Sequence, residues 1–305
     1  MPSLADRLAT KVVKAMGLKG RLTRLAEVEN DPDELAEQVR KLRRFSRPSP
    51  PRRIRRRWTV EMRDASGHDL HVATSRQGRS GRVILHLHGG GYMFGPFGTD
   101  WAACDRLASN AGCDFAVLDY PKVPEHQAPE TISATRHAFG LLAADYGAGN
   151  VILTGVSAGG GLALAAMMQN RDEGGTLPAM AILISPGVDM TLDEPIGELE
   201  PGDALLSVAH VRSAGRLYAG ALGADHPSVS PLFGDLGQLP PLHVFAGTAE
   251  ILYPSLRTFV TKAREAGSGA SLIVGEGQQH TWPLSPTPDG RRALDEIAGI
   301  IGAAG

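Results

Sequence analysis

The stretch Val151-Ile152-Leu153-Thr154-Gly155-Val156-Ser157-Ala158-Gly159 decides the fold expected of this chain. It begins as an apolar, β-branched run typical of a buried strand, and residues 162–168, which follow it, favour a helix. A serine between two glycines at such a strand-to-helix turn is held in a strained backbone position, with its hydroxyl exposed at the top of a sheet. The pattern predicts that Ser157 is a nucleophile.

Strands and helices alternate on both sides of this turn. Apolar runs predict strands at 58–62, 69–73, 83–87, 115–118, 151–153, 181–184, 242–245 and 271–274. Helical stretches fall at about 100–110, 128–146, 158–171, 253–266 and 289–302. The first two strands flank the turn signal Ser66-Gly67 and are expected to be antiparallel. The alternation predicts an α/β fold whose mostly parallel, eight-stranded sheet has helices on both faces.

Two segments stand outside this alternation and are predicted to form a helical cap. Residues 1–48 are charged and helix-patterned, with Leu4, Leu8, Val12 and Met16 at helical spacing. A Pro/Arg stretch at 47–51 separates them from the catalytic domain, residues 49–305. The second segment is an insertion at about 188–225, with a helix near 203–220.

The only strong charge run is Arg52-Arg53-Ile54-Arg55-Arg56-Arg57. Three interpretations are open for it. The first is that the run binds phosphate or a membrane. The second is that it forms the solvated face of a strand, and the third is that it pairs with acids elsewhere in the chain.

Composition excludes several function classes. The 305 residues carry a net charge of −2, so no global field recruits nucleic acid. No apolar run reaches the ~18 residues of a membrane span, and the charged N-terminus does not fit a secretory peptide; we expect a soluble, cytoplasmic protein.

Cys104 and Cys113 are too few for a disulfide framework and are expected to be reduced core thiols. Metal-ligand spacings and nucleotide-binding fingerprints are missing, so no metal or cofactor is expected.

A glycine-rich turn leaves the strand at 83–87 as His88-Gly89-Gly90-Gly91-Tyr92. Consecutive glycines let backbone amides approach a ligand and point at one spot, which is what a developing oxyanion requires. Ala158, the first residue of the helix after the serine, can add its own amide. We therefore predict an oxyanion hole formed by Gly89, Gly90, Gly91 and Ala158.

A serine hydroxyl needs a base, and the base needs an acid that orients it. Glu250 follows the strand at 242–245 and His280 follows the last strand, in the serine, acid, histidine order of α/β hydrolases. His126 is the alternative base. The alternative acids are Asp189, Asp193, Asp203 and Glu276.

Residues 50–303 resemble the hormone-sensitive-lipase-type (bacterial family IV) carboxylesterases of the α/β-hydrolase superfamily. The resemblance is carried by 88–92, 120–126, 155–160, 230–232, 240–242 and the His280 loop. It implies Ser157 as nucleophile, His280 as base and Glu250 as acid. It also implies a cap that lines the acyl pocket, and it raises homodimerisation through an edge strand.

The sequence departs from the family pattern at four places. Val156 precedes the nucleophile where relatives carry an acid, so substrate preference is expected to differ. Glu250 stands where many relatives have Asp, and Tyr253-Pro254 where an acid pair often follows. Thr281-Trp282 replaces Gly-Phe after the histidine, which affects the shape of the pocket.

These observations predict a serine hydrolase that cleaves small-molecule carboxylic esters with short to medium acyl chains. The alternatives are a deacetylase acting on an N-acetyl or O-acetyl group, a catalytically silent binding protein and a non-hydrolytic lyase. The sequence by itself indicates no lipid-interface surface, so none is expected. Tyr92, Met93, Phe94 and Trp282 adjoin the motifs and are candidate pocket walls, with ordinary core positions as the alternative.

Overall fold

The computed structural model describes residues 1–303, which contain one eight-stranded sheet and eleven α-helices. The strands are β1 (Trp58–Asp64), β2 (Asp69–Ser75), β3 (Val83–Leu87), β4 (Asp114–Leu118), β5 (Val151–Val156), β6 (Met180–Ile184), β7 (Leu242–Gly247) and β8 (Ala270–Gly275). The helices are α1 (Leu4–Ala15), α2 (Leu18–Glu27), α3 (Pro32–Arg43), α4 (Arg52–Arg57), α5 (Gly98–Ala111), α6 (Ala128–Tyr146), α7 (Ala158–Asp172), α8 (Leu199–Gly202), α9 (Val208–Ala219), α10 (Tyr253–Glu265) and α11 (Pro288–Ala303).

The strands are ordered β1-β2-β4-β3-β5-β6-β7-β8 across the sheet. β2 pairs antiparallel with β1 and with β4, and the other neighbours pair in parallel. The predicted α/β class and mostly parallel eight-stranded sheet are thereby confirmed. β1 and β8 are the two edge strands of the sheet. Dimerisation through an edge strand, which the resemblance raises, stays a prediction.

Two hydrophobic cores cover the two faces of the sheet. Along β3, Val83, Leu85 and Leu87 enter one core and Ile84 enters the other, because successive side chains of a strand point to opposite faces. The first core includes side chains of α6, α7 and α10, and the second those of α5 and α11. Strands buried on both faces explain why their sequences are continuous apolar runs.

The N-terminal helices pack against the insertion that follows β6. The hydroxyls of Thr23 on α2 and Ser207 before α9 lie 2.8 Å apart. Arg216 on α9 pairs with Glu29 at 2.7 Å. These contacts join the two predicted cap segments, while the division at residue 48 stays a prediction.

The arginine run folds differently from the strand alternative. Residues 52–57 form α4, a short helix, and β1 begins only at Trp58. Arg53 and Arg57 lie 3.3 and 3.2 Å from the buried carboxylate of Asp105. Trp58 Nε1 donates to the same carboxylate at 2.9 Å. The strand interpretation is therefore wrong, and two of the arginines pair with an acid from elsewhere in the chain.

Cys104 and Cys113 are buried and form no disulfide, as expected. Burial raises the pKa of the Cys113 thiol to about 12. Across residues 1–303, every helix is too short or too polar to cross a bilayer.

Candidate active site

Ser157 occupies the sharp turn between β5 and α7. Its φ of 52° and ψ of −119° lie outside the regions that non-glycine residues favour, as the motif predicts. The turn brings α7 so close to β3 that a Cβ on Gly159 would lie 2.6 Å from the carbonyl carbon of Leu87. A Cβ on Gly155 would similarly lie 2.7 Å from the Cα of Gly160. The two glycines of the motif are needed because the backbone segments touch here.

We expect Gly159→Ala to destabilise the fold by about 3 kcal/mol, because the added methyl overpacks rigid backbone. Gly299→Ala is the matched control, since a Cβ at this exposed helical position meets nothing within 4 Å. There the substitution is expected to stabilise by about 0.5–1 kcal/mol through helix propensity. Urea unfolding at equilibrium measures both changes, and equal midpoints for the two variants would contradict the close contact.

The three predicted catalytic side chains form one hydrogen-bonded chain. Ser157 Oγ lies 2.9 Å from Nε2 of His280. The other ring nitrogen, Nδ1, lies 2.5 Å from Oε2 of Glu250. Glu250 is fully buried and His280 is 7% exposed, whereas Ser157 is half-buried. This arrangement can take a proton from the serine hydroxyl and hold the resulting imidazolium.

Glu250 is held by two further donors. The hydroxyl of Ser185 and the amide of Gly247 each donate to Oε1 at 2.9 Å. Ser185 Oγ in turn accepts the amide of Thr281 at 3.0 Å, so this side chain ties the acid to the histidine loop. Sequence reasoning missed Ser185. One feature of the sequence could have indicated it. Ser185 directly follows the predicted strand 181–184, and active groups collect at the carboxyl ends of such strands.

The alternative acids lie elsewhere. Asp189 accepts the amides of Thr191 and Leu192 in its own turn. Asp203 accepts three backbone amides, including that of Ile251 at 3.0 Å. Asp193 and Glu276 are exposed. In residues 1–303, none of these four acids forms a hydrogen bond or an ion pair with His280.

The alternative base, His126, lies apart from the serine as well. Its ring packs edge-on against His68, with centroids 5.5 Å apart. It is half-exposed, in the loop that precedes α6.

The glycine turn lies against the serine. A Cβ on Gly89 would lie 3.4 Å from the Cβ of Ser157. Gly90 and Gly91 have φ values of 115° and 59°, which L-residues rarely adopt. Within residues 1–303, the amides of Gly90, Gly91 and Ala158 donate to no protein acceptor. They are therefore free to bind an oxyanion.

His88, at the start of the glycine turn, stabilises its backbone. Its Nδ1 donates to the carbonyl of Gly89 at 2.7 Å, and the Tyr120 hydroxyl donates to the His88 carbonyl at 2.8 Å. The two rings stack with centroids 4.0 Å apart. Complete burial lowers the pKa of His88 well below its usual value, so the ring is neutral. A rigid support of this kind keeps the amides in place.

His210 of the cap helix α9 also contacts the glycine turn, and sequence reasoning had not singled it out. Its Nε2 would lie 3.4 Å from a Cβ on Gly91. Burial lowers its pKa to about 4 and makes it neutral near pH 7. Its Nδ1 has no hydrogen-bond partner within residues 1–303. Nothing local in the sequence marks this residue, because the contact joins distant segments.

The four candidate pocket residues pack within the protein body. Tyr92, Met93 and Phe94 are at most 4% exposed. Tyr92 stacks on Tyr218 of α9 with ring centroids 3.6 Å apart. Trp282 is half-buried beside Gly275, at the end of β8. The four positions fit the core alternative, and their role as pocket walls is untested.

Known proteins are similar to this chain in fold and in sequence. Residues 84–284 match a family described by its α/β-hydrolase fold. An acetyl-hydrolase of Streptomyces hygroscopicus is 34% identical over 75% of this chain and 77% of its own length. An esterase of Acinetobacter venetianus is 29% identical over 92% of each chain. A crystal structure of an esterase from the bacterial hormone-sensitive lipase family has a TM-score of 0.78 at 29% identity, covering 93% of this chain and 97% of that one. The family, the esterase relatives and the geometry around Ser157 agree, and the chain belongs to the α/β hydrolases as a carboxylic ester hydrolase of the hormone-sensitive-lipase type.

Proposed function

We propose that the protein hydrolyses small carboxylic esters with short to medium acyl chains through an acyl-enzyme on Ser157. The observation that carries the proposal is the hydrogen-bonded chain from Ser157 through His280 to Glu250. The contact of His210, on the cap helix α9, with Gly91 of the glycine turn supports a limit on acyl-chain length.

In acylation, Ser157 Oγ attacks the ester carbonyl carbon while its proton passes to His280 Nε2. The carbonyl oxygen becomes an oxyanion that accepts hydrogen bonds from the amides of Gly90, Gly91 and Ala158. Each such donor typically increases the rate by a factor of about 10²–10³. The carbon–oxygen bond to the leaving alcohol then breaks, and the alkoxide takes the proton from His280. Glu250 keeps the Nδ1 proton in place throughout.

Deacylation repeats these steps with water. His280 takes a proton from the attacking water, and the same amides stabilise the second oxyanion. The bond between the acyl carbon and Ser157 Oγ breaks, and Oγ regains its proton from His280. The carboxylic acid leaves, and the enzyme returns to its starting state.

Parallel turnover assays on p-nitrophenyl acetate, butyrate and octanoate test the substrate class. We expect higher kcat/KM for the acetate and butyrate than for the octanoate. Rapid quenching followed by peptide mass spectrometry should find the acyl group on the peptide that contains Ser157. An acyl adduct on another peptide, or a preference for octanoate, would contradict the proposal.

A deacetylase is the second candidate, since the relative from Streptomyces hygroscopicus is named an acetyl-hydrolase. The same residues would perform that reaction, with an amine or a sugar alcohol as leaving group. Comparing p-nitrophenyl acetate with N-acetylated peptides and O-acetylated alcohols separates the candidates. Faster turnover of the acetylated amides would favour the deacetylase.

We expect Ser185→Ala to lower kcat about tenfold to hundredfold with KM nearly unchanged, because a hydrogen bond to a charged group is worth ~1.5–3 kcal/mol. Ser185 acts as a positioning residue, through Glu250 and the loop at Thr281. Steady-state kinetics with a soluble ester measure the split between kcat and KM. Ser271→Ala, which removes a 3.0 Å bond to His243 away from the site, is the control. The same decrease in both variants would indicate a general loss of structure instead.

A further inference from the structure

The charge of this protein is distributed very unevenly along the chain. The first 57 residues hold 16 of the 31 Lys and Arg residues but 7 of the 33 Asp and Glu residues. Their net charge is therefore +9, and that of the remainder is −11. The near-neutral total conceals a basic N-terminal segment on an acidic catalytic body, a pattern that indicates a negatively charged partner for the basic part.

The apolar side of α1 faces outward. Leu4, Leu8, Val12 and Met16 are 65%, 53%, 58% and 60% exposed, respectively. An amphipathic helix on a globular protein normally turns this side toward the core. Here the buried residue of α1 is Asp6, whose backbone amide donates to the hydroxyl of the N-cap residue Ser3. The four side chains, spaced by four residues, form a continuous exposed stripe that we call the α1 stripe.

Basic side chains run directly beside the α1 stripe. Arg7, Lys11 and Lys14 are exposed on the neighbouring face of the helix and form no ion pair within residues 1–303. Asp6 is the only acid on α1, and it is buried. The exposed surface of the helix thus consists of an apolar sector and a cationic sector, without anionic side chains. That is the composition of helices that lie in the interface of a membrane.

A basic groove continues this surface. A cavity of about 630 Å³ lies between α2 and α3, beginning at Gly17, the residue after Met16. Arg21, Arg24, Lys41 and Arg44 line it, together with Phe45, which is 58% exposed. Glu27 and Glu37 pair with Arg24 and Lys41, whereas Arg21 and Arg44 have no acidic partner within residues 1–303. The groove provides cationic groups beside a further exposed apolar side chain.

We propose that the α1 stripe and the adjoining basic groove dock the enzyme on a bilayer that contains anionic phospholipid. The apolar side chains would enter the boundary between head groups and acyl chains, and Arg7, Lys11 and Lys14 would contact the phosphates. The stripe alone would fit a second copy of the chain equally well. Arg7, Lys11 and Lys14 argue against a second copy. If two copies met through this surface, these positive charges would face each other and repel.

The docking surface adjoins the active site. Pro2, two residues before α1, lies 2.8 Å from where a Cβ on Gly277 would sit. Gly277 is three residues before His280, in the same loop. The amide of Ser3 donates to Asp289 at 2.9 Å and fixes the start of α1 to the catalytic body. Docking through α1 would therefore hold the loop that carries Gly277 and His280 close to the lipid surface. This consequence does not depend on which reaction Ser157 performs.

Flotation of the whole protein with vesicles tests the proposal. We expect binding to phosphatidylcholine vesicles that contain phosphatidylglycerol, and at least tenfold weaker binding to pure phosphatidylcholine. Leu8→Gln/Val12→Gln and Lys11→Glu/Lys14→Glu should each weaken binding at least tenfold. Salt of about 1 M should weaken it as well, since charges are then screened within about 3 Å.

Matched variants control for general changes in the surface. Met62 on β1 is 58% exposed, as Val12 is, so Met62→Gln should leave vesicle binding unchanged. Arg257→Glu/Lys262→Glu on α10 makes the same change in charge as the α1 double variant and should also leave it unchanged. Equal losses in these controls would overturn the proposal, as would a wild-type protein that does not bind the anionic vesicles.

Two further measurements separate the remaining outcomes. If sedimentation shows a dimer that Leu8→Gln/Val12→Gln dissociates, the stripe binds a second copy and the lipid proposal is wrong. Turnover of p-nitrophenyl butyrate by each variant reports on the catalytic proposal independently. Ser157→Ala should still bind vesicles, so failure of the function and failure of the docking surface are distinguishable.

Discussion

Ser157→Ala is expected to lower kcat for any activated ester by about 10⁴- to 10⁶-fold, since the nucleophile of a catalytic triad carries effects of this size. In the proposed mechanism this hydroxyl, 2.9 Å from His280 Nε2, is the group that the histidine deprotonates for attack. Removing one oxygen from a half-buried position leaves the packing around it intact. The fold, and the thermal unfolding midpoint, should therefore stay close to those of the wild type.

Steady-state kinetics with p-nitrophenyl butyrate measure this effect, with circular dichroism as the check on folding. Ser230→Ala is a useful comparison. It removes a buried serine that bonds the amide of Met190 and the carbonyl of Ala224, outside the proposed site. That variant should lose stability and keep its turnover. Unchanged kcat in Ser157→Ala would refute the proposed nucleophile.

Glu250→Gln is expected to lower kcat by about 10³- to 10⁴-fold, as replacing a triad acid by its amide does elsewhere. Oε1 of Glu250 accepts hydrogen bonds from the Ser185 hydroxyl and the Gly247 amide. In the variant, the amide oxygen of the glutamine is therefore best placed at the Oε1 position. Its NH₂ group would then face His280 Nδ1 and force the proton onto Nε2. In that tautomer the ring cannot accept the proton of Ser157.

Two neighbouring acids provide the controls for this variant. Glu276→Gln changes an exposed side chain and should leave kcat within about twofold. Asp203→Asn should lower stability, because Asp203 accepts the amides of Leu205, Leu206 and Ile251. Its kcat should nevertheless remain far above that of Glu250→Gln. A loss of turnover in Asp203→Asn equal to that in Glu250→Gln would show that the proposed acid is wrong.

The fold was predictable because its signals are local. Continuous apolar runs identify strands buried on both faces, and the order of strands and helices then restricts the topology to a parallel sheet. The arginine run was the exception. It reads as a polar strand face in isolation, but Asp105, from a distant helix, pairs with Arg53 and Arg57 while the run itself forms a turn of helix.

The proposed site was predictable in part. Ser157, Glu250 and His280 each follow a strand, and the carboxyl ends of parallel strands meet at one edge of the sheet. Ser185 follows a strand too, but serine is too common after strands for its position alone to single it out. His210 lies on the cap, whose contact with Gly91 depends on how two distant segments pack.

The sequence by itself determined the α/β class, the strained serine turn and the order of the residues around it, because these depend on side-chain periodicity and on glycines at fixed spacing. Only the tertiary structure decided which acid reaches the histidine, what supports it and which way α1 faces. The spacing of Leu4, Leu8, Val12 and Met16 defines one side of a helix, but it does not say whether that side meets the core or the solvent. That orientation is set by contacts between residues far apart in the chain, such as Ser3 with Asp289.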